Sequence, residues 1–177
     1  MNESTNYTEY VVSQKAEGKW MLRRLLLIGL YVVFSIAWLI VVVGVLMIWP
    51  LGMFTPLLTW MLVFFTWRYV SVEHEYVMSS GVITFSDIYG RRTRRQKAEF
   101  RIKELTKIAP AAEYEAKDTE IVYDFRGSEK SPDSYFFTFR DENGKNGTVF
   151  FEATAKSLKI FRFYNPSATV MSDTLRY

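Results

Sequence analysis

The sequence contains no cysteine, which excludes disulfides, thiolate nucleophiles, cysteine zinc sites and iron–sulfur clusters. It has one histidine, His74, and the neighbouring Glu73 and Glu75 point to the opposite side of an extended strand, so no metal site is expected there. His74 reads instead as a packed or interfacial side chain. There is no glycine-rich phosphate loop and no serine nucleophile motif: Gly127-Ser128 falls in a polar connector, and Asp141-Glu142 in a hairpin turn. Neither a catalytic residue nor a cofactor is expected. Charge is also missing over long stretches. Residues 25–49 and 51–67 contain no Asp, Glu, Lys, Arg or His, and an intramembrane ionisable group is what proton relays and ion pathways need.

What fills those stretches is apolar. At about 1.5 Å per residue, a helix over residues 25–49 is longer than the roughly 30 Å hydrocarbon core of a bilayer. It exceeds a cleaved signal peptide in length, lacks a small-residue cleavage site, and is followed directly by a second apolar run. Spans are expected at residues 25–49 and 53–70, with Pro50 and Gly52 leaving a short connection and Pro56 near the start of the second. Lys15, Lys19, Arg23 and Arg24 precede the first span, Arg68 lies at the end of the second and the cluster from Arg91 follows it, while the connection has no basic residue. The positive-inside rule then places both termini in the cytoplasm of a cell whose plasma or inner membrane holds the hairpin. Trp20, Arg23, Arg24, Trp49, Trp67, Arg68 and Tyr69 are the expected interface anchors. Ala37 and Gly44, seven apart, are candidate points of close helix approach. Residues 1–24 read as a cytoplasmic segment, either a short interfacial helix or a solvated tail.

Beyond Val70 the continuous apolar pattern gives way to short alternating runs bounded by Gly, Pro, Asn, Asp and Ser, which predicts a β-rich domain over residues 71–165. Seven antiparallel strands are expected, at residues 73–78, 82–85, 89–97, 100–108, 120–125, 134–140 and 148–152. Ser79-Ser80-Gly81 and the segment 141–147, with its two Asn-Gly pairs, supply tight-turn residues. Thr154 is placed to cap a helix over 155–164, whose Leu158, Ile160, Phe161 and Tyr164 would cover an open end of the sheet before Asn165-Pro166 stops it. Residues 166–177 read as a flexible tail. The fold class is thus an α+β membrane protein, a transmembrane hairpin followed by a bent sheet or partly open barrel with a capping helix.

Several short segments also carry a likeness: Tyr10-Val11-Val12, Val72-Glu73-His74-Glu75-Tyr76, Gly81 leading to Ser86-Asp87-Ile88, Arg91-Arg92-Thr93-Arg94-Arg95, Ile108-Ala109-Pro110, Phe151-Glu152 and Tyr164-Asn165-Pro166. On these the chain resembles a family of small bacterial two-span membrane proteins with a pleckstrin-homology-like (PH-like) cytoplasmic domain. The resemblance covers nearly the whole chain and implies topology. It supplies no activity, because that family has no assigned biochemical function.

The most unusual local feature is basic. Eight lysines and arginines lie between positions 91 and 107, against Glu99 and Glu104. Arg91, Arg92, Arg94, Arg95 and Lys97 are the candidate contacts for anionic lipid headgroups or a partner. On an unbroken strand Arg91, Arg95 and Lys97 share one face, and Arg92 and Arg94 the other. The competing expectation is an exposed edge strand kept from aggregating by its charges. Nucleic acid is not expected, since Tyr135, Phe137, Phe139 and Phe150 alternate like core residues. The function expected is a non-enzymatic membrane-anchored module that binds a protein partner, a second copy or the inner leaflet. The alternative is an accessory subunit of a larger membrane complex, with the hairpin as interface.

Overall fold

The computed structural model describes residues 6–90, 92–115 and 121–171. They form two compact units. One contains the chain up to Gln14 together with everything from Glu73 onward, and the other is Lys15–Val72.

The helical unit begins with α1 (Gly18–Leu39), which continues as a π-helical stretch over Ile40–Val45. After the short α2 (Trp49–Gly52) the chain returns through α3 (Thr55–Thr66) and a 3₁₀ turn at Trp67–Tyr69. The apolar helical segments Gly18–Val45 and Trp49–Tyr69 are both long enough to cross a membrane. The first starts before Leu25 because nothing in Gly18–Arg24 breaks a helix once it is under way. The contact between α1 and α3 differs from the expected one. Ala37 and Gly44 are exposed, whereas Tyr31, Val42 and Thr55 are buried. Hydroxyl pairs hold the helices: Tyr31 Oη donates to Thr66 Oγ1 at 2.6 Å, and Ser35 Oγ lies 2.8 Å from Thr59 Oγ1. Such pairs fix which faces of the two apolar helices meet, a role that small residues would otherwise fill.

The β unit contains two four-stranded sheets. β1 (Tyr7–Ser13), β2 (Val72–Ser79), β3 (Val82–Tyr89) and β4 (Thr93–Arg101) form the first in that order. The second is ordered β5-β7-β8-β6, with β5 at Lys107–Pro110, β6 at Ile121–Asp124, β7 at Ser134–Arg140 and β8 at Asn146–Glu152. Helix α4 (Ala155–Tyr164) packs Leu158, Ile160 and Phe161 into a core shared with Tyr76, Met78, Phe85, Phe137 and Phe151. Thr154 caps it as anticipated: its Oγ1 accepts from Ser157 N at 3.1 Å while Ser157 Oγ accepts from Thr154 N at 2.8 Å.

Four expectations are corrected. Tyr7–Ser13 is a strand, not an interfacial helix or tail. It pairs antiparallel with β2, Ser13 opposite Glu73, and Tyr10 stacks on Tyr76 with ring centres 4.7 Å apart. Its outer end lies so close to Gly127 that a Cβ there would meet Ser13 O at 2.6 Å, which is why a glycine occupies that position. The expected strands 89–97 and 100–108 are instead β4 and the short β5, separated by a 3₁₀ turn at Ile102–Glu104 that buries Ile102; β4 starts only at Thr93 because Gly90, at φ 57°, turns the chain immediately after Tyr89. The second sheet is mixed: β6 runs parallel to β8. Tight turns fix only sequential neighbours, and β6 is joined to β5 and β7 by longer connections. Finally, the segment after α4 is no free tail up to Met171. Ile108 N donates to Ala168 O and Val170 N to Ile108 O, both at 2.8 Å, so it runs beside β5. Residues 172–177 lie outside the described residues.

Candidate functional site

β2 and β3 bury three ionisable side chains, His74, Glu75 and Asp87. β2 turns His74, Tyr76 and Met78 inward, and β3 does the same with Ile83, Phe85 and Asp87. His74 Nδ1 donates to Asp87 Oδ1 at 2.8 Å, and His74 Nε2 lies 2.9 Å from Gln14 Oε1, the last residue before the helical unit. Both ring nitrogens therefore face acceptors, an arrangement that a doubly protonated ring satisfies. A neutral ring fits it once the Gln14 amide turns its NH₂ inward. The second Asp87 oxygen accepts from Tyr89 Oη at 3.1 Å and lies 3.4 Å from Lys97 Nζ. Burial pushes the Asp87 carboxyl up, but the His74 hydrogen bond, the charges of His74 and Lys97 and the Tyr89 hydroxyl outweigh it, holding it below the usual carboxylate range. Lys97 shows the reciprocal effect: slight burial opposes its charge, and Asp87 and Tyr89 raise its pKa above that of a free lysine.

On the outer face of the same sheet Glu75, only 2% exposed, is paired with Arg94, whose own side chain reaches solvent. Two residues of the basic run therefore neutralise buried carboxylates. β4 is the edge of its sheet, and a bulge opposite Phe85/Ser86 sets Lys97 out of the regular alternation. Arg95 stands opposite Asp87 and is exposed; Arg92 lies in the turn before β4. Arg91 lies outside the described residues. The run is thus not one uniform patch, and its members divide between internal pairing and solvent.

The expected interface anchors lie at the ends of the helical unit. The Arg23 guanidinium sits over the Trp20 ring at 4.9 Å, Arg24 Nε donates to Val70 O at 3.4 Å, and Arg68 stacks on Tyr69 at 4.9 Å while bonding its hydroxyl. Trp49 and Trp67 are exposed.

Sequence reasoning missed Asp87 and Gln14 as partners of His74, although a signal was present. A two-residue turn at Ser80-Gly81 sets Ser79 opposite Val82, and counting outward brings His74 opposite Asp87. Among the described residues no group of three acidic or histidine side chains could hold a metal ion. The arrangement is that of a self-neutralised cluster stitching three strands together.

No curated protein and no solved structure matches the chain significantly. A family model described as "Bacterial PH-like domain (DUF6106)" does, and the match runs over residues 4–171. It takes in β1, the helical hairpin and both sheets as one inheritance, so the chain belongs to this bacterial PH-like family.

Proposed function

We propose that the protein is a non-enzymatic module in which the two apolar helices cross the cytoplasmic membrane and hold the PH-like domain on its inner side. There the domain binds a protein partner or anionic lipid. The observation that carries this reading is the ladder between β1 and β2. The chain leaves the domain after Ser13 and re-enters it at the residue paired with Ser13, so the inserted helices must return to the side from which they left. Two crossings meet that condition, and the basic flanks favour the cytoplasm as that side. The self-pairing of His74, Asp87, Glu75, Arg94 and Lys97 supports a binding role over catalysis, since none is held ready for a substrate.

Single cysteines test the anchor. With the native chain free of thiols, a cysteine replacing Met53 is expected to react with an impermeant maleimide added to whole cells, and one replacing Ser172 to react only after lysis. The reverse pattern would sink the orientation, and protection of neither would sink the spans.

The lipid arm is tested on β4 and the turn before it. Neutralising Arg92 and Arg95 is expected to weaken binding to vesicles containing anionic lipid, each charge near the surface being worth roughly 1 kcal/mol. Neutralising Arg94 or Lys97 is expected to lower stability more than affinity, because Glu75 or Asp87 then loses a partner. If neither pair changes vesicle binding while the fold holds, the charges protect an edge strand.

A second reading has an observation of its own. Leu39, Ile40, Val43, Trp49, Pro50 and Met53 line an apolar hollow of about 830 Å³ where the π-helical stretch meets the helical turn. A span of another subunit seated there would make the hairpin the interface of a larger membrane complex.

A further inference from the structure

Arg94, Lys97 and Arg101 on β4 each face a carboxylate; the cations on α4 meet none among the described residues. Lys156, Lys159 and Arg162 follow one another at three-residue intervals, all exposed, on a helix that contains no acidic residue. Neither lysine makes an ion pair among the described residues, and Arg162 reaches only Met171 Sδ at 3.4 Å. By contrast Arg94, Lys97, Arg101 and Arg126 each meet an Asp or Glu. Lys156 also sits in the first turn, where the positive end of the helix dipole favours a carboxylate and opposes a cation. A lysine at that position is an electrostatic cost to the isolated domain, and a bound anion would remove it.

An apolar element stands beside these charges. Phe163 is 58% exposed, more than any other large apolar side chain among the described residues of the β unit. At 100° per residue it projects between the directions of Lys156 and Lys159, so cations and ring share one face. That face is rigid. The Thr154/Ser157 capping box fixes its start, Leu158 and Phe161 bury its other side, and Asn165 Nδ2 ties its end to Ile102 O and Leu105 O at 3.0 and 2.8 Å. A helix fixed in this way presents its cations and aromatic anchor without a backbone ordering cost on binding.

We propose that this face of α4 docks an acidic segment of a protein partner, its carboxylates over Lys156, Lys159 and Arg162 and an apolar side chain on Phe163. The proposal rests on the reading of the domain as a binding module and gives its protein arm a surface separate from β4. The cysteine-labelling test of the anchor is independent of α4, so the two fail separately.

The full chain in phosphatidylcholine nanodiscs is titrated with a labelled helical peptide whose glutamates recur every three or four residues around one leucine. A scrambled peptide of the same composition is the control. The patterned peptide is expected to bind. The triple variant Lys156→Glu, Lys159→Glu, Arg162→Glu is expected to bind at least about tenfold more weakly, and to gain affinity for the same peptide with lysine in place of glutamate. Phe163→Ala is expected to weaken the wild-type interaction by about fivefold. An unchanged thermal midpoint shows that each variant is folded, as substitutions on an exposed face should allow. Equal binding of the scrambled peptide, or no binding of the patterned one, overturns the proposal. So does transfer of the same residue dependence to phosphatidylglycerol vesicles without peptide binding, which would make the surface a lipid contact.

Discussion

A chain that begins at Val72 is expected to lose the cooperative fold of the β domain. One in which residues 15–71 are replaced by Asn-Gly is expected to keep it as a soluble protein. β1 is an integral strand of the first sheet. Tyr10 stacks on Tyr76, its hydroxyl donates to Glu152 O at 2.8 Å, and Val12 packs against the core. Tyr76, itself fully buried, donates to Phe125 O at 2.6 Å, so removing β1 uncovers a side chain on which the connection after β6 depends. Losing a single large core side chain costs roughly 3–5 kcal/mol, against a total domain stability of about 5–15 kcal/mol. Losing a whole strand with its ladder exhausts that margin. The Asn-Gly replacement works through register. Ser13 opposite Glu73 continues to Gln14 opposite Val72, and a two-residue type I′ turn closes such a pair. Urea unfolding followed by circular dichroism and amide exchange measures the difference. Equal midpoints for the two shortened chains would show that β1 is dispensable and would remove the main support for a returning hairpin.

The same strand shows where the sequence stops being legible. α4 was readable because its evidence is local: Thr154 for the cap, Leu158 and Phe161 for the buried stripe, Asn165-Pro166 for the stop. The hairpin between β2 and β3 was readable from Ser80-Gly81, whose positive φ values of 52° and 83° are what that turn requires. β1 alternates just as clearly, with Thr8, Tyr10 and Val12 turned inward, yet its partner lies beyond both apolar helices. A strand of that length has no stability alone, so its pattern cannot be distinguished locally from a solvated segment. The basic run was visible for the converse reason, since charge density needs no partner to be noticed. What it does depends on Glu75 and Asp87, and their burial is set by cross-strand neighbours and by a bulge that no local signal marks. In the helical unit composition gave the long apolar helices, but the contact face follows Tyr31, Ser35, Thr59 and Thr66, polar residues with little weight in a hydropathy reading.

Breaking the pair at the centre of the candidate site is expected to have the second large effect, one that depends on pH. His74→Leu leaves the Asp87 carboxylate, whose side chain is only 11% exposed, without its closest partner. Leaving a buried carboxylate without its hydrogen-bond donor typically costs about 1–3 kcal/mol or more, whereas replacing both partners by apolar groups of similar volume is often close to neutral. The double variant His74→Leu, Asp87→Leu is therefore expected to be more stable than the sum of its single substitutions predicts, with the excess measuring the coupling. The acid limb has a definite sign. The Asp87 carboxyl is held below its unfolded value in the folded protein, so its contribution to stability is present above about pH 4 and disappears as pH falls through the lower folded value. Asp87→Asn has no such carboxylate to lose. Wild type and Asp87→Asn should thus differ most in urea midpoint near pH 7 and converge below about pH 4. A difference that stays constant from pH 7 to pH 3 would mean that the aspartate acts through shape alone. Lys97 extends the argument in the other direction. Its pKa is raised by Asp87 and Tyr89, so its share is complete below the value of a free lysine and is lost only as pH rises through the higher folded value. Across the neutral range the cluster therefore stays fully charged at Asp87 and Lys97, stitching β2, β3 and β4 beside the point where the chain passes into its apolar helices.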